Sequence, residues 1–533
     1  MLTYDILLAP AFVAAAAALA SELRRDLMML QQNSYFNDRY RRWLSASADT
    51  TSALRITGMA VLLLAISTLV PAGFGAALMG LFGTGVCARL ATRRYKKPLV
   101  MTARARRILA TAVALAAIVV AAAAWLAGGG TTAGRLYAAT AATTACYCAS
   151  HLLLLAANTL LRPVERSINA RYIADARERL RSMPDLKVIG ITGSYGKTST
   201  KHYLHRILSE HFDTLMTPGS YNTTLGVVRT VRELLRPYNE VFIVEMGAKQ
   251  RGDIREICDL VRPSAGIITA VGPQHLESFG SIEAVQATKF ELADALPSDG
   301  TAYVNDDFPL IASRPVEGAR CMRYSCTGAP AADWQARDIS YGSDGTHFTV
   351  TGPGGFALEL HTRLLGEANI SDLLAAVAVA ADMGVPSDKI RYAVGQIEPV
   401  THRMSLTRTA GGFTIIDDAY NSNPVGSRMA MEVLGSMSGG QRIVITPGMI
   451  ELGDEQQRLN RELGRHAGLN ADIVIVVGHY NREALSQGVA DAGRPEVALH
   501  TADTFADAQR LLTSIVRPGD TVLYENDLPD TFR

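Results

Sequence analysis

The chain has 533 residues, of which 48% are hydrophobic and 19% charged, and its 52 lysines and arginines nearly balance 51 acidic residues. This composition excludes an intrinsically disordered chain, and the near-zero net charge argues against a nucleic-acid-binding protein, which carries a basic excess. The length predicts roughly three domains, at about 100–200 residues per domain. Long apolar runs crowd into the first third of the chain, and most acidic residues follow them.

The first third predicts a membrane region, because a membrane-spanning helix needs about 20 mostly apolar residues. The charge-poor stretches that come near this length are residues 2–21, 56–88, 108–130 and 136–161. The second stretch is too long for one helix and contains Pro71-Ala72-Gly73 near its middle. We therefore expect two short spans there, and about five transmembrane helices in total.

The distribution of basic residues predicts the orientation of these helices. Arginines and lysines cluster after the first, second and last stretches, whereas residues 128–134 contain none. Cytoplasmic loops carry the excess of basic residues, so five spans with the N-terminus outside place every cluster in the cytoplasm. We predict a multi-pass protein of the inner or plasma membrane with cytoplasmic catalytic domains. A cleaved signal peptide is the alternative, but no basic residue precedes the first run.

Beyond the membrane region, short apolar strand-like runs alternate with helical stretches, which predicts α/β layering with a parallel sheet. The predicted strands are 187–192, 241–245, 265–269, 413–417, 442–446, 473–477 and 521–524. We predict a membrane region (1–162), a linker helix (163–185), a central P-loop domain with a parallel sheet (186–400) and a C-terminal Rossmann-like α/β domain (401–533).

A glycine-rich loop follows the first predicted strand, and it reads Thr192-Gly193-Ser194-Tyr195-Gly196-Lys197-Thr198-Ser199. Glycines let backbone N–H groups surround phosphates, a lysine neutralises them, and a hydroxyl at a helix N-terminus reaches Mg²⁺. The spacing differs from the usual P-loop, because Ile191 stands where its first glycine is expected. A chance Gly-Lys-Thr is the alternative, but the strand before the loop and the helix after it favour a phosphate site. Glu245 ends the next apolar run and is a candidate metal ligand facing this loop.

The residues and motifs resemble those of the Mur ligase family, and the likeness covers about residues 186–530. In chain order the motifs are the loop 192–198, Asn222–Gly226, Glu245–Gly247, His275–Gly280, Lys289, Asn305-Asp306, Gly366–Asn369, His402-Arg403, Asp417–Pro424 and Glu451–Gly453. The later motifs look most like the MurF type, which joins D-alanyl-D-alanine to UDP-N-acetylmuramoyl-tripeptide.

The resemblance implies an ATP-dependent amide ligase, in which a carboxylate is phosphorylated to an acyl phosphate that an amine then attacks. It implies a role in the synthesis of peptidoglycan or of another envelope precursor. The implied nucleotide contacts are Thr192, Gly193, Ser194, Tyr195, Gly196, Lys197, Thr198, Ser199, Asn369, Arg403 and Asp418.

The resemblance also implies two Mg²⁺ ions and a set of catalytic residues. Thr198 and Glu245 would hold the first ion, and His275 the second. Lys289 matches a lysine that family members often carry as a carbamate, which is an anionic Mg²⁺ ligand. Lys197, His275 and Lys289 are the implied catalytic residues.

Departures from the family pattern concern the substrates more than the chemistry. The usual N-terminal UDP-binding domain is replaced by the predicted membrane region. Ala368 and Asp372 stand where a His and an Asn are usual near adenine, and the strand 521–524 continues as Glu525-Asn526-Asp527 without the MurF-type Lys-Gly-Ser-Arg.

The expected partners are therefore the membrane, a small-molecule or lipid-linked envelope precursor with a carboxylate, and an amino acid or dipeptide amine. A membrane-associated poly-γ-glutamate-type synthetase and a catalytically idle nucleotide-binding scaffold are the alternatives.

Overall fold

The computed structural model describes residues 2–46, 53–67, 69–93, 95, 97–127, 131–274, 276–342, 345–398, 404–419 and 422–527. The chain divides into two compact units, Met1–Asn169 and Ala170–Asp527.

The first unit is helical. Its elements are α1 (Leu2–Gln32), α2 (Asn37–Ala46), α3 (Ala53–Ile66), α4 (Ala72–Ala91), α5 (Ala103–Leu126), α6 (Thr132–Cys148), α7 (Ser150–Leu160) and the first residues of α8 (Arg162–Arg181). Alanine and leucine, which are strong helix formers, dominate these segments. The side chains of Thr102 and Thr131 cap the N-termini of α5 and α6 by accepting backbone N–H groups, and Pro71 precedes α4.

Membrane-spanning length is reached by fewer helices than the sequence predicts. By length and composition, three helices of the described residues qualify, Leu7–Gln32 within α1, α4 and α5, and the bent pair α6–α7 makes a fourth if it is one broken span. The predicted break near Pro71 is present, but the apolar part of α3, Leu54–Ile66, is too short to qualify. The stretch 136–161, predicted as one span, is bent by 75° between α6 and α7. Ser150, at the bend, donates a hydrogen bond to Asp26 on α1 at 2.6 Å.

The second unit begins with a large sheet. Its strands are β1 (Lys187–Thr192), β2 (Thr214–Met216), β3 (Val241–Glu245), β4 (Ala265–Ile268), β5 (Thr301–Asn305), β6 (Arg320–Ser325), β7 (Trp334–Gly342), β8 (Gly345–Gly352) and β9 (Phe356–Thr362). Their order in the sheet is β2-β3-β1-β4-β5-β6-β7-β8-β9. The pairs from β2 to β7 are parallel, as predicted for this domain, whereas β7–β8 and β8–β9 are antiparallel.

Helices cover both faces of this sheet. They are the remainder of α8, α9 (Lys197–Leu208), α10 (Thr224–Glu233), α11 (Asp253–Val261), α12 (Leu276–Phe279), α13 (Ile282–Phe290), α14 (Pro309–Ala312), α15 (Glu367–Asp382) and α16 (Ser387–Gly395). One apolar core joins the sheet to α9, α15 and α16, and a second joins it to α8, α10 and α11. Burial on both faces explains why the central strands are continuous apolar runs.

A second sheet follows in the same unit. Its strands are β10 (Ser405–Arg408), β11 (Thr414–Asp418), β12 (Arg442–Thr446), β13 (Ile473–Val477), β14 (Ala498–Ala502) and β15 (Thr521–Glu525). Their order is β10-β11-β15-β12-β13-β14, and the pairs are parallel except for β10–β11. Its helices are α17 (Pro424–Ser436), α18 (Gln456–Asn470), α19 (Arg482–Asp491) and α20 (Phe505–Ile515). The predicted α/β folds of the central and C-terminal domains are confirmed.

Candidate functional site

A tight loop joins β1 to α9 at the carboxyl edge of the first sheet. The Ser194 hydroxyl donates to the Gly272 carbonyl at 3.0 Å and accepts the Gly272 N–H at 3.1 Å. The Thr269 hydroxyl donates to the carbonyl oxygen of Tyr195. These bonds fix the loop to the segment that follows β4.

Two loop positions require glycine. Gly196 has φ +79°, and a Cβ there would lie 2.2 Å from Oδ1 of Asp372. A Cβ at Gly193 would lie 2.0 Å from Oγ1 of Thr269. Glycine is therefore needed at 196 for its left-handed backbone and at both positions for close packing. The contact also places the Asp372 carboxylate of α15 against the phosphate loop.

Lys197 opens helix α9 and turns back over the loop. Its Nζ donates to the carbonyl oxygens of Gly193 at 2.6 Å and Ser194 at 3.2 Å. Thr198 lies beside it, half-buried, and Ser199 is buried. The N–H groups of a first helical turn are unsatisfied and carry partial positive charge, so this helix start and the lysine together form an anion site.

Glu245 ends β3 directly beside the loop. In the parallel register it pairs with Ile191, the residue before Thr192. Its carboxylate lies 2.9 Å from Nζ of Lys201 and accepts Nδ2–H of Asn222 at 3.1 Å. The Glu245 and Lys201 side chains are both essentially inaccessible to solvent. The structure therefore brings the predicted metal ligand to the phosphate loop and pairs it with a lysine.

The charge state of Glu245 is set by opposing effects. Burial alone would raise the pKa of this carboxyl, but the positive charges of Lys201 and Lys197 outweigh burial, and its pKa is lowered. An ionised carboxylate is the kind of oxygen ligand that Mg²⁺ prefers. Glu245 and the Thr198 hydroxyl therefore fit a magnesium ion that is shared with nucleotide phosphates.

Lys289 lies on α13 with 2% of its surface exposed. Burial and the charge of Lys197 lower the pKa of its amine well below 10.5, although Asp253 and Glu291 act in the opposite direction. A buried lysine of lowered pKa holds a larger neutral fraction, which is the reactive form of an amine.

Asn369 lies in the first turn of α15, and both ends of its amide are engaged. Its Oδ1 accepts the Tyr203 hydroxyl at 2.8 Å, and its Nδ2 donates to the Leu365 carbonyl at 2.8 Å. Because Tyr203 belongs to α9, this contact links the predicted adenine residue to the helix that carries the phosphate loop.

Asp418 belongs to the second sheet, where it ends β11 beside Glu525 at the end of β15. Its carboxylate accepts the backbone N–H of Met404 at 3.2 Å. Glu525 is fully buried and accepts a hydrogen bond from the Ser422 hydroxyl. Burial and the neighbouring Asp418 raise the pKa of Glu525 well above 4.5. The strand end that departs from the MurF-type sequence thus forms a pair of close carboxyl groups.

Other predicted residues lie outside the described residues: His275, His402, Arg403, Tyr420 and Asn421. Across the residues that are described, no group of three or more His, Cys, Asp or Glu is arranged to hold a metal ion. The predicted metal ligands among the described residues are of a different kind. Thr198 contributes a hydroxyl, Glu245 a carboxylate and Lys289 an amine.

Sequence reasoning missed two polar features. Lys201 follows Lys197 by four residues, and this spacing places both on one face of α9 and predicts the second lysine near the loop. The first unit also contains a buried ionic cluster of Glu22, Asp26 and Arg55. The spacing of Glu22 and Asp26, four residues apart on α1, is the signal that indicates a shared helix face.

Comparison with known families matches two domains. Residues 191–380 match the Mur ligase middle domain, and residues 402–524 match the domain described as Mur ligase, glutamate ligase domain.

Individual proteins give the same likeness. The UDP-N-acetylmuramoyl-tripeptide--D-alanyl-D-alanine ligase of Mycobacterium tuberculosis (strain CDC 1551 / Oshkosh) is 33% identical over 366 residues, which are 63% of this chain and 70% of that protein. The crystal structure of MurF from Acinetobacter baumannii has a TM-score of 0.60 at 28% identity, covering 67% of this chain and 76% of that one. MurF from Thermotoga maritima in complex with ADP has the same fold, with a TM-score of 0.59 at 24% identity, covering 67% of this chain and 80% of that one.

Proposed function

Because the chain belongs to the Mur ligase family, we propose that it is an ATP-dependent peptide ligase of the MurF type that extends a cell-envelope precursor. The names of its relatives give the substrate class, a UDP-N-acetylmuramoyl-tripeptide and D-alanyl-D-alanine. The observation that carries the proposal is the phosphate loop with the buried, ionised Glu245 in register beside it.

The reaction requires two anions, a carboxylate and the γ-phosphate of ATP, to meet. Lys197 and the N–H groups at the start of α9 screen the phosphate charge, and fixed positioning supplies much of the rate. Transfer of the γ-phosphoryl group gives an acyl phosphate and ADP. The amine then attacks the acyl carbon and a carbon–nitrogen bond forms. The bond between the acyl carbon and the phosphate oxygen breaks, and phosphate leaves.

Magnesium would supply further neutralisation of the phosphate oxygens when it binds with the nucleotide. Glu245 and Thr198 are the proposed protein ligands of the first ion, and His275 that of the second. Lys201 holds the Glu245 carboxylate at 2.9 Å, so the ligand is oriented before the cation arrives. The Thermotoga maritima relative was solved in complex with ADP, which supports nucleotide binding by this chain.

Lys289 is the proposed site of a carbamate. The neutral amine attacks carbon dioxide, a nitrogen–carbon bond forms, and a proton is released, which leaves an anionic group in place of a cation. Its burial and lowered pKa favour this reaction. We expect Lys289→Ala to lose ligase turnover while ATP binding persists, as measured by ADP release and by equilibrium binding of ATP. Turnover of this variant at the rate of the parent would contradict the carbamate.

Nucleotide contacts are completed by Asn369, Arg403 and Asp418 in this proposal. Asn369 already forms hydrogen bonds with Tyr203 and Leu365. Its adenine contact would therefore use the second lone pair of its amide oxygen. The carboxyl pair of Asp418 and Glu525 stands where MurF-type enzymes have a basic segment. Substrate preference is therefore expected to differ from that of the MurF-type relatives.

We further propose that the first unit lies in the inner or plasma membrane, with its N-terminus outside and the ligase domains in the cytoplasm. Its support is the length and apolar composition of the helices within α1, α4 and α5. The arginines that follow α1 and α4 share the cytoplasmic side when the short apolar helix Leu54–Ile66 also crosses the membrane. A carboxyl substrate carried on a lipid is compatible with this placement, as is a soluble one.

The test uses the full-length protein purified in detergent, with Mg²⁺ and bicarbonate. UDP-N-acetylmuramoyl-tripeptide and D-alanyl-D-alanine are supplied together and singly, and ADP release and product mass are measured. Parallel reactions offer the lipid-linked form of the tripeptide, and glutamate as the amine. Lys197→Ala, which removes the cation over the loop, is the control.

Release of ADP that needs both substrates, with a product heavier by one dipeptide residue, is the expected result, and the control should lose it. Turnover with glutamate alone would favour the poly-γ-glutamate reaction. Binding of ATP without turnover on any pair would contradict the proposal and favour an idle nucleotide-binding scaffold.

A further inference from the structure

The helical first unit contains a buried cluster of charges. Nη2 of Arg55 lies 2.9 Å from Oε1 of Glu22 and 2.7 Å from Oδ1 of Asp26. Arg25 lies 2.9 Å from the same Glu22 oxygen, and Ser150 donates to Asp26 at 2.6 Å. Two carboxylates therefore face two guanidinium groups, and their charges cancel.

A groove of about 810 Å³ opens beside this cluster. Arg41, Leu44 and Ser45 of α2 line one side, and α7 lines the other, with Arg55 as a buried member of the lining. The residues of α7 that line it are His151, Leu152, Leu155, Ala156, Thr159 and Leu160. The groove thus has a cationic end and a long apolar wall.

The cationic end is only partly satisfied by the protein. Nη2 of Arg55 is the donor in its hydrogen bonds to Glu22, Asp26 and Ser150. Its Nε is buried and has no partner among the described residues. Nδ1 of His151 is buried without a partner in the same part of the chain. Because the charges of the cluster cancel, the exposed Arg41 leaves the groove with an excess of positive charge. The positive charge of Arg41 in the lining would therefore stabilise an anion at this end of the groove.

The position along α1 of the charged cluster beside the groove indicates the kind of anion. The helix has 31 residues, which at about 1.5 Å per residue exceeds the hydrocarbon thickness of a bilayer, about 30 Å. Its apolar run ends at Ser21, immediately before Glu22, so the cluster lies in the charged part of α1 that follows this run. The next helix, α2, exposes Arg41 and Arg42. Exposed arginines close to the end of an apolar helix run are typical of the level of lipid headgroups.

We propose that this groove binds a membrane lipid with an anionic phosphate headgroup. The phosphate lies at Arg41 and Arg55, which suit planar, bidentate recognition of phosphate oxygens. One acyl chain lies along Leu152, Leu155 and Ala156. The headgroup level of the groove rests on the proposed membrane placement of this unit, whereas the binding test does not depend on that placement or on ligase activity.

The test uses the full chain in dodecyl maltoside, and native mass spectrometry counts the lipids bound. The probes are dioleoylphosphatidic acid, the zwitterionic dioleoylphosphatidylcholine, and inorganic phosphate as a competitor. Arg41→Gln removes the cation at the groove, and Arg42→Gln removes the neighbouring exposed cation, which does not line it. Ala156→Trp fills the apolar part without changing charge. Circular dichroism verifies that each variant is folded.

We expect one phosphatidic acid to bind tightly and to be weakened about fivefold or more by Arg41→Gln, the effect of losing a charge-assisted hydrogen bond. Ala156→Trp should weaken it similarly, and Arg42→Gln should change it less than twofold. Equal binding of phosphatidylcholine, or equal effects of both arginine variants, would overturn the proposal in favour of unspecific lipid contact. Displacement of the lipid by millimolar inorganic phosphate would overturn it in favour of a small-anion site.

Discussion

Lys201 forms a buried ion pair with Glu245, the proposed metal ligand. This pairing determines the effect of a substitution at Lys201. Both side chains are buried and lie 2.9 Å apart, so removing one leaves the other as a buried charge. Lys201 is therefore a positioning residue for the site, and it also contributes to the stability of the second unit.

We predict that Lys201→Met destabilises the second unit by about 3 kcal/mol, the cost of breaking a buried ion pair. The double variant Lys201→Met with Glu245→Gln should recover most of this loss, because no buried charge is then left unpaired. Pulse proteolysis in urea on the intact chain measures both values. If the two single substitutions simply add in the double variant, the pair does not interact as described.

Glu525 provides a prediction on pH. Its pKa is raised by burial and by Asp418, so the folded chain holds a proton on this carboxyl that the unfolded chain has already released. Stability therefore falls as the pH rises from 4.5 through the raised pKa. Glu525→Gln keeps a neutral group that can accept from Ser422, and it should remove this loss.

The variant should be more stable than the parent at pH 8, by about 1–2 kcal/mol, and the difference should shrink as the pH falls toward 4.5. Urea midpoints measured between pH 5 and pH 8 give this profile. A difference that does not vary with pH would show that Glu525 is ionised in the folded chain.

At the scale of elements, the phosphate loop depends on how closely α15 packs against it. Gly196 and Gly252 both precede helices with a left-handed backbone, at φ +79° and +90°. A Cβ at Gly196 would meet Asp372 at 2.2 Å, whereas nothing lies within 4 Å of a Cβ at Gly252. A substitution at Gly252 therefore tests backbone strain alone, whereas one at Gly196 tests strain together with a steric clash.

Gly252→Ala should cost about 1 kcal/mol through strain alone and leave ATP binding unchanged. Gly196→Ala should cost more and weaken ATP binding at least tenfold, because either the Asp372 side chain or the loop must move. Equilibrium titration with a fluorescent ATP analogue, with urea unfolding alongside, measures both effects. Equal losses of ATP affinity in the two variants would contradict the packing argument.

The sequence predicts the elements whose pattern follows from burial on both faces. The runs 187–192, 241–245, 442–446 and 473–477 coincide with β1, β3, β12 and β13, because central parallel strands are continuously apolar. The strands β2, β5 to β10 and β14 lie outside the predicted runs. In β8 and β9, buried residues are interrupted by more exposed ones, so no continuous apolar run marks these strands. At the bend between α6 and α7, Ser150 bonds to Asp26, 124 residues away, a contact that no local pattern encodes.

In the candidate site too, the features with a local sequence pattern could be predicted, and those set by long-range packing could not. The loop 192–199 and Glu245 were predicted because strand, loop and helix are contiguous in sequence or end at one sheet edge. The Asp372 contact and the burial of Lys289 depend on α15 and α13 packing onto that edge, and only the fold determines them.

At the scale of the whole molecule, the two units have separate cores. The apolar clusters beneath the phosphate loop draw their residues from 173 onward, and the helical unit is packed by its own residues. Nucleotide binding therefore should not require the first seven helices.

A chain that starts at Arg162, which keeps α8 intact, should fold and bind ATP with an affinity within about threefold of the full chain, since no packing contact of the loop is removed. It should also remain in the soluble fraction after removal of detergent. Calorimetric titration with ATP and centrifugation measure the two properties. Loss of ATP binding in the shortened chain would mean that the helical unit forms part of the nucleotide site.

The proposed ligase reaction depends on activation of a carboxylate by ATP at the loop between β1 and α9. The most direct measurement supplies the precursor with ¹⁸O in its acceptor carboxylate, together with ATP and the amine, and determines the isotope content of the phosphate released. An acyl phosphate intermediate predicts one ¹⁸O in each phosphate, formed in step with the amide, and no release by Lys197→Ala. Phosphate released without ¹⁸O would contradict the account, because the γ-phosphoryl group would then have gone to water.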